Sequence, residues 1–182
     1  MAQCSDEEVQ RMLPLVSEQR REQALRYKHT FGRFCCLKSW LMLQELVGEL
    51  PEWQYNEYGK PFIEGGPHFS ISHCKTGIAV AVADEPVGID IEHIRTADQD
   101  LIERTMNADE IQLIANADAN ADIAFTRLWT RKEAVAKWQG TGITSFEQLQ
   151  SIIEKNTSNI ETFEKEKYIY SIAYGKLHCF SA

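Results

Sequence analysis

The sequence predicts an α+β fold made of two pseudo-symmetric subdomains, residues 1–86 and residues 87–182. Apolar residues recur at helical spacing in the first fifty positions and again after residue 100. Between and after these segments, apolar residues come in short runs or alternate with a period of two, as in strands. Each half therefore has the order helix, then strands. We expect each to form a small antiparallel sheet packed on a long helix.

The first helical region covers about residues 7–50. Its C-terminal part carries a broad apolar stripe, formed by Leu37, Trp40, Leu41, Leu43, Leu46 and Val47. Gly48 and Pro51 punctuate its end, because glycine and proline interrupt helices.

Three strands are predicted next, over residues 68–73, 77–83 and 87–92. The breaks between them are short and contain turn residues. Short connections join antiparallel neighbours, so we expect the three strands to form an antiparallel meander.

The second half begins with two predicted helices, over residues 101–115 and 124–138. A polar, alanine-rich loop separates them, and Gly140 and Gly142 stop the second helix. Residues 168–174 alternate as a strand, and a last strand is predicted through Cys179.

Composition limits the class of protein. Hydrophobic residues make up 43% of the 182 positions and charged residues 25%, which is ordinary globular usage. No apolar run approaches the ~20 residues of a membrane-spanning helix, and the N-terminus does not resemble a signal peptide. The net charge of −8 disfavours nucleic-acid binding, which depends on lysine and arginine. We expect no membrane or nucleic-acid partner.

The five cysteines, Cys4, Cys35, Cys36, Cys74 and Cys179, are an odd number without C-x-x-C spacing. This pattern argues against a disulfide framework and against a structural zinc site. We expect reduced cysteines in a cytoplasmic protein. Basic residues crowd the first forty positions, where they form either a solvated helix face or a surface for an anionic ligand.

Asp90 and Glu92 are the first candidate site residues. Both lie in the sequence Gly-Ile-Asp-Ile-Glu, where strand alternation sends the two acids to one face and the two isoleucines to the other. Paired carboxylates suit Mg²⁺, particularly when substrate phosphates complete its coordination. The competing interpretation is a pair of exposed acids on a surface strand.

A second group lies in the predicted helix that follows. Trp129, Glu133 and Lys137 are spaced at i, i+4 and i+8, so they share one helix face. Glu133 is either a third carboxylate for the metal or half of a simple Glu–Lys surface pair, and Lys137 could meet a phosphate. Trp129 is expected to be a core anchor.

Ser72 and His73 close the first predicted strand, beside Lys75 in the turn. A hydroxyl, an imidazole and an ammonium at one strand end can cradle a phosphate. The alternative for His73 is a structural histidine.

Four motifs in this order resemble the phosphopantetheinyl transferases, specifically the surfactin-synthetase-activator type. They are Tyr-Gly-Lys-Pro at 58–61, His-Phe-Ser-Ile-Ser-His at 68–73, Val-Gly-Ile-Asp-Ile-Glu at 87–92, and Leu-Trp-Thr-Arg-Lys-Glu-Ala at 128–134, followed by Lys137. Ser70 stands where asparagine is frequent in the family, and Cys74 where serine is frequent. Neither change removes a residue assigned below.

The resemblance implies a role for each matching residue. It implies Mg²⁺ bound by Asp90, Glu92 and Glu133. It implies contacts to coenzyme A phosphates from Lys137, Ser72 and His73, and a loop bordering the adenine that contains Lys60 and Pro61. Arg33 is our choice for a contact to the 3′-phosphate, since no sharp motif marks that region.

The resemblance also implies an activity, the Mg²⁺-dependent transfer of 4′-phosphopantetheine from coenzyme A to a serine of an acyl or peptidyl carrier protein by a monomer. Glu133 would be the base, directly or through a bound water, or a metal ligand, or both. Two rival hypotheses are a non-catalytic module that binds a carrier protein or coenzyme A, and a metal-dependent phosphohydrolase. The intact acids disfavour the first, and the lack of a dense His/Asp cluster disfavours the second.

Overall fold

The computed structural model describes residues 4–152 and 159–175, and this part of the chain has the predicted α+β architecture. The helices are α1 (Asp6–Met12), α2 (Glu18–Leu25), α3 (Thr30–Val47), α4 (Gln99–Thr105), α5 (Ala108–Ala115), α6 (Ala121–Gln139) and α7 (Phe146–Ser151). The strands are β1 (Gln54–Tyr55), β2 (Pro61–Phe62), β3 (His68–Cys74), β4 (Gly77–Ala83), β5 (Val87–His93), β6 (Asn159–Glu164) and β7 (Tyr168–Tyr174).

The first helical region is divided into three helices, each started by local chemistry. Ser5 caps α1 in a capping box with Glu8, and Ser17 caps α2. The long helix α3 then buries the apolar stripe seen in the sequence and ends at Gly48, whose φ of 84° few other residues adopt. Helices therefore make up most of residues 6–47, which confirms the helical region predicted over about residues 7–50.

The first long helix packs on a two-stranded antiparallel sheet, β3–β4, with His68 opposite Ala83 and Cys74 opposite Gly77. Buried aromatic rings join the two layers: Trp53 lies 4.8 Å from Trp40 and 5.2 Å from Phe69 between ring centroids. This cluster is the core of the first half. The short antiparallel pair β1–β2 lies beside β3.

The second long helix, α6, packs on a three-stranded antiparallel sheet of order β5-β7-β6. Their contact is very close at Gly88 in β5. A Cβ placed there would lie 2.0 Å from the carbonyl oxygen of Ala134 and 2.3 Å from the amide nitrogen of Trp138. Glycine is required at this position because both neighbours are backbone atoms of α6.

The predicted three-stranded meander is wrong, because β5 pairs with β7 and not with β4. Two serine hydroxyls of β3 explain how β5 can leave that sheet without losing its hydrogen bonds. Ser70 accepts a hydrogen bond from the amide of Ile89 at 3.0 Å, and Ser72 accepts one from the amide of Ile91 at 3.3 Å. Side chains thus join β3 to β5 in place of a backbone ladder.

Other predicted elements differ mainly at their ends. The helix expected over residues 101–115 is two helices, because Asn107 caps α5 in a capping box with Glu110. Helix α6 starts at Ala121, inside the expected loop. The sequence did not predict α7, β1, β2 or β6, and the predicted strand through Cys179 lies outside the described residues.

Within residues 4–152 and 159–175, no helix combines the length and the apolar character needed to cross a bilayer. Cys4, Cys35, Cys36 and Cys74 are free thiols. The boundary between residues 86 and 87 stays a prediction.

Candidate active site

A polar cavity of 360 Å³ opens where β3, β5 and α6 meet. Six of the nine predicted site residues line it: Ser72, His73, Asp90, Glu92, Glu133 and Lys137. Three elements that are separate in sequence therefore bring these side chains together. Lys60, Pro61 and Arg33 do not line this cavity.

Asp90 is the centre of a hydrogen-bond network in the cavity. Its Oδ1 accepts hydrogen bonds from Lys137 Nζ at 2.7 Å and from Ser72 Oγ at 2.7 Å, and Lys137 also donates to Ser72 Oγ at 3.0 Å. Asp90 is only 4% exposed, yet its Oδ2 has no hydrogen-bond partner in the described part of the chain. A buried carboxylate oxygen without a hydrogen-bond partner lowers the stability of the fold unless a ligand or an ion binds to it.

Burial and neighbouring acids together raise the pKa values of Glu133 and Glu92. Burial, with the nearby charges of Asp90 and Glu92, raises the pKa of Glu133 to about 7, although Lys137 opposes this change. Burial and Asp90 also raise the pKa of Glu92. The cavity therefore concentrates more negative charge than one lysine offsets.

The donor set fits Mg²⁺, which prefers carboxylate oxygens. Three acids face one cavity, and the free Oδ2 of Asp90 is available to a cation. Among the described residues, no three His, Cys, Asp or Glu side chains already converge as ligands of one ion. The three-acid magnesium site stays a prediction.

A second, mostly apolar cavity of 270 Å³ adjoins the first, since Ile71 and Lys137 line both. Lys60 and Pro61 lie in its wall, with Tyr58, Phe69 and other residues of β3, α6 and the glycine-rich segment after α6. The Tyr-Gly-Lys-Pro motif and the acidic motifs therefore border two neighbouring cavities.

Lys60 takes part in this wall in a way that the sequence did not predict. Its ammonium group donates to the backbone carbonyls of Lys137 at 2.6 Å and Val87 at 3.1 Å. Burial lowers the pKa of Lys60 to about 8. Much of its hydrogen-bonding capacity is thus used inside the protein.

His73 and Arg33 complete the predicted set. His73 lies in the polar cavity, and its ring contacts the ring of Phe31 edge-on. Burial lowers the pKa of His73, and the positive charge of Lys137 lowers it further. Arg33 lies outside the linings of both cavities, and its Nε donates to the carbonyl of Tyr27 at 2.9 Å. The contact of Arg33 with the 3′-phosphate stays a prediction.

The sequence did not predict two contacts made by residues next to the site. Trp129, expected only as a core anchor, packs against Phe125 and also lies near enough to Glu92 to oppose the rise in the pKa of that carboxyl. Lys132, beside Glu133, is fully buried and pairs with Glu110 at 2.8 Å. The i, i+4 spacing of Trp129 and Glu133 could have suggested the first contact, but no local signal links Lys132 to Glu110.

Comparison with known proteins points to one family. A family model described as the 4′-phosphopantetheinyl transferase superfamily matches residues 86–179, just over half of the chain. The 4′-phosphopantetheinyl transferase gsp of Aneurinibacillus migulanus is 31% identical over 153 residues, covering 78% of this chain and 65% of that protein.

Two other relatives carry the same enzyme name. The 4′-phosphopantetheinyl transferase Sfp of Bacillus subtilis (strain 168) is 28% identical over 151 residues, covering 77% of this chain and 67% of that protein. The 4′-phosphopantetheinyl transferase AcpT of Salmonella typhimurium is 39% identical over 115 residues, covering 56% of this chain and 58% of that protein. The matched region thus spans about two thirds of gsp and Sfp, and less of AcpT.

Proposed function

Because the chain belongs to the 4′-phosphopantetheinyl transferase superfamily, we propose that it transfers 4′-phosphopantetheine from coenzyme A to a serine of an acyl or peptidyl carrier protein. One observation carries the proposal. Three carboxylates, a lysine, a serine and a histidine line one polar cavity that adjoins an apolar one. Coenzyme A has the matching parts, a pyrophosphate beside an aromatic base.

The linings of the two cavities support a placement of the parts of coenzyme A. The apolar cavity beside Lys60 and Pro61 receives the adenine, because its lining is mostly hydrocarbon. The pyrophosphate lies in the polar cavity, where Ser72 and His73 contact its oxygens. Lys137 lies in both linings and carries the positive charge nearest the phosphates.

In the reaction, the carrier serine oxygen forms a bond to the β-phosphorus of coenzyme A. The bond from that phosphorus to the bridging oxygen breaks, and adenosine 3′,5′-bisphosphate leaves with the bonding electrons. The serine proton goes to a base, for which Glu133 is the candidate because its carboxylate lines the polar cavity. Lys137 offsets negative charge on the phosphate oxygens.

Asp90, Glu92 and Glu133 would hold Mg²⁺, which supplies positive charge to the pyrophosphate. Beside them, Ser72 orients Asp90 by a hydrogen bond from its hydroxyl group. Such outer contacts keep ligand side chains in place.

The proposal extends to the setting of the enzyme. We infer a cytoplasmic monomer that acts on a carrier from fatty-acid, polyketide or peptide synthesis, without a nucleic-acid or membrane partner. The net charge of −8 supports the absence of nucleic acid. The basic residues of the N-terminal half offer charges for the acidic surface of a carrier.

The test is carrier modification. The purified protein is incubated with coenzyme A, MgCl₂ and apo carrier proteins from the three pathways, and each carrier is weighed by mass spectrometry. We expect one carrier or more to gain a single phosphopantetheine. The gain should vanish with EDTA, and also when the carrier serine is replaced by alanine. No modification of any carrier, despite measurable coenzyme A binding, would instead support a non-catalytic binding module.

A further inference from the structure

The loop between β1 and β2 reaches across to the second half of the chain. Asn56 Nδ2 donates to the carbonyl of Gly140 at 2.8 Å, directly after α6. Lys60 Nζ donates to the carbonyls of Lys137, near the end of α6, and Val87, at the start of β5. We call Asn56 and Lys60 the helix clamp, since both bind the C-terminal end of α6.

The clamp satisfies groups that α6 cannot satisfy itself. The last four carbonyls of a helix have no amide partner in the next turn. At the end of α6 the chain turns at Gly140, whose φ is 75°, and the amide of Gly140 bonds to Ala136. Lys60 supplies the donor for the following carbonyl, that of Lys137. Its positive charge also lies at the negative end of the helix dipole.

The loop that carries the clamp is itself held in shape. Asn56 Oδ1 accepts hydrogen bonds from the amides of Tyr58 at 3.0 Å and Lys60 at 2.8 Å. The amide of Asn56 donates to the carbonyl of Lys60 at 3.0 Å. These hydrogen bonds hold the backbone of Lys60 in place, so its side chain is positioned to reach α6 and β5.

The two carbonyls that Lys60 joins belong to the two elements that carry the acids. β5 bears Asp90 and Glu92, and α6 bears Glu133 and Lys137. The residue whose carbonyl Lys60 holds, Lys137, is also the residue whose ammonium group binds Asp90. A shift of the last turn of α6 would move that ammonium group relative to Asp90.

We propose that Lys60 is a positioning residue, whose ammonium holds the end of α6 against β5 and so aligns Lys137 with Asp90. This differs from the direct adenine contact that the resemblance implies for the Lys60 loop. Two of the three N–H groups of the Lys60 ammonium already donate hydrogen bonds to backbone carbonyls. Its effect on turnover rests on the proposed function, whereas its effect on α6 does not.

The first measurement is independent of any activity. Amide hydrogen exchange is followed by mass spectrometry in the full chain and in Lys60→Met. We expect exchange at residues 137–140 to be about fivefold faster or more in the variant, because the last turn of α6 opens more easily. Lys165→Met is the matched control, since it also removes one lysine charge but from an exposed turn. It should leave these amides unchanged.

The second measurement separates positioning from contact. If Lys60 acts through Lys137, Lys60→Met lowers kcat/KM for coenzyme A by about tenfold or more, as small misplacements in active sites do. In a Lys137→Ala background the same change should lower this kcat/KM by less than about twofold, because the two residues then act as one unit. A direct adenine contact predicts the same loss of kcat/KM with and without the Lys137 side chain.

Asn56→Asp keeps the acceptor inside the loop and replaces the donor to Gly140 with a charged carboxylate oxygen that cannot donate. It is expected to speed exchange at residues 137–140 to a smaller degree, and it tests the clamp even if Lys60→Met fails to fold. Unchanged exchange in the folded variants overturns the proposal, as does a loss of kcat/KM that is equally large in the Lys137→Ala background. If the wild type modifies no carrier but exchange still rises, the proposed function fails while the positioning role stands.

Discussion

Helices α3 and α6 both pack lengthwise on a small antiparallel sheet, yet they bury different side chains. The buried face of α3 is mainly bulky and apolar, with Leu37, Trp40 and Leu43 against β3 and β4. The buried residues of α6 include Phe125 and Trp138 near its two ends, but those between them are mostly small or polar: Thr126, Thr130, Lys132, Ala134, Val135 and Ala136.

The difference shows what each helix contributes. Bulky side chains hold α3 at an ordinary packing distance and bury apolar area, which stabilises the fold. Small side chains let α6 approach β5 until their backbones nearly touch at Gly88. That approach brings Lys137 within 2.7 Å of Asp90 and places Glu133 beside both acids. One helix mainly stabilises, and the other mainly builds the site.

The largest expected effect comes from widening the contact between α6 and β5. Gly88→Ala places a Cβ among backbone atoms that cannot rotate away, so we expect a loss of more than ~4 kcal/mol of unfolding free energy, or no folded protein. Gly77→Ala is the control, because its Cβ would meet only the end of Ile91 at 3.0 Å and should cost less than ~1 kcal/mol. Urea unfolding measures both. Equal stabilities would refute the close contact.

The next effect tests the buried polar face of α6. Lys132→Met leaves the carboxylate of Glu110 buried without its cation, so we expect a loss of about 3 kcal/mol in urea unfolding. The double variant Lys132→Met/Glu110→Gln should regain at least half of that loss, because no unpaired charge remains. A single variant as stable as the wild type would show that the ion pair is not needed.

The third effect falls on turnover. Asp90→Asn, Glu92→Gln and Glu133→Gln should each lower kcat by about a hundredfold or more, equivalent to ~2.7 kcal/mol of transition-state stabilisation. Stability should not fall for Glu133→Gln, because the change removes one of three mutually repelling acids. Lys137→Ala should mainly weaken the use of coenzyme A. Near-normal rates for Glu133→Gln at saturating Mg²⁺ would exclude the three-acid site.

Leu37→Ala in α3 should have the opposite effect to those variants, a loss of stability without a loss of turnover. Leu37 is fully buried, so its truncation should cost about 3 kcal/mol in unfolding. Its kcat should match the wild type at temperatures where the variant stays folded. A large loss of kcat in this folded variant would mean that α3 also shapes the site.

The smallest effect concerns pH and Lys60. Burial lowers the pKa of Lys60 from 10.5 to about 8, so the folded protein releases this proton at a lower pH than the unfolded chain. The cost of burying the charge is present below pH 8 and disappears as the pH rises towards 10.5. Relative to Lys60→Met, the wild type should gain on the order of 1 kcal/mol of stability across this range. If the wild type instead became more stable relative to Lys60→Met as the pH was lowered, the lowered pKa of Lys60 would be contradicted.

The sequence predicted local elements better than their partners. Strand β4 has the predicted bounds, and β3 and β5 each extend one residue further. The pairing of β5 was wrong, because the choice between β4 and β7 depends on contacts far apart in the chain, including the hydroxyls of Ser70 and Ser72. Short connections favour a meander but do not enforce it.

The sequence was sufficient to predict two parts of the site. Strand alternation placed Asp90 and Glu92 on one face of β5, and helical spacing placed Glu133 and Lys137 on one face of α6. These periods are set by backbone geometry, so local sequence determines them. The separate resemblance to a family supplied the expectation that the two faces meet.

Only the tertiary structure decided how closely the two faces meet and what surrounds them. The 2.7 Å contact between Lys137 and Asp90, the raised pKa of Glu133 and the inward-turned ammonium of Lys60 all depend on packing between distant segments. Burial and neighbouring charges set a pKa, and neither is a local property of the chain. The resemblance to a family made Lys60 a candidate for binding coenzyme A, whereas its surroundings give it two backbone carbonyls to hold.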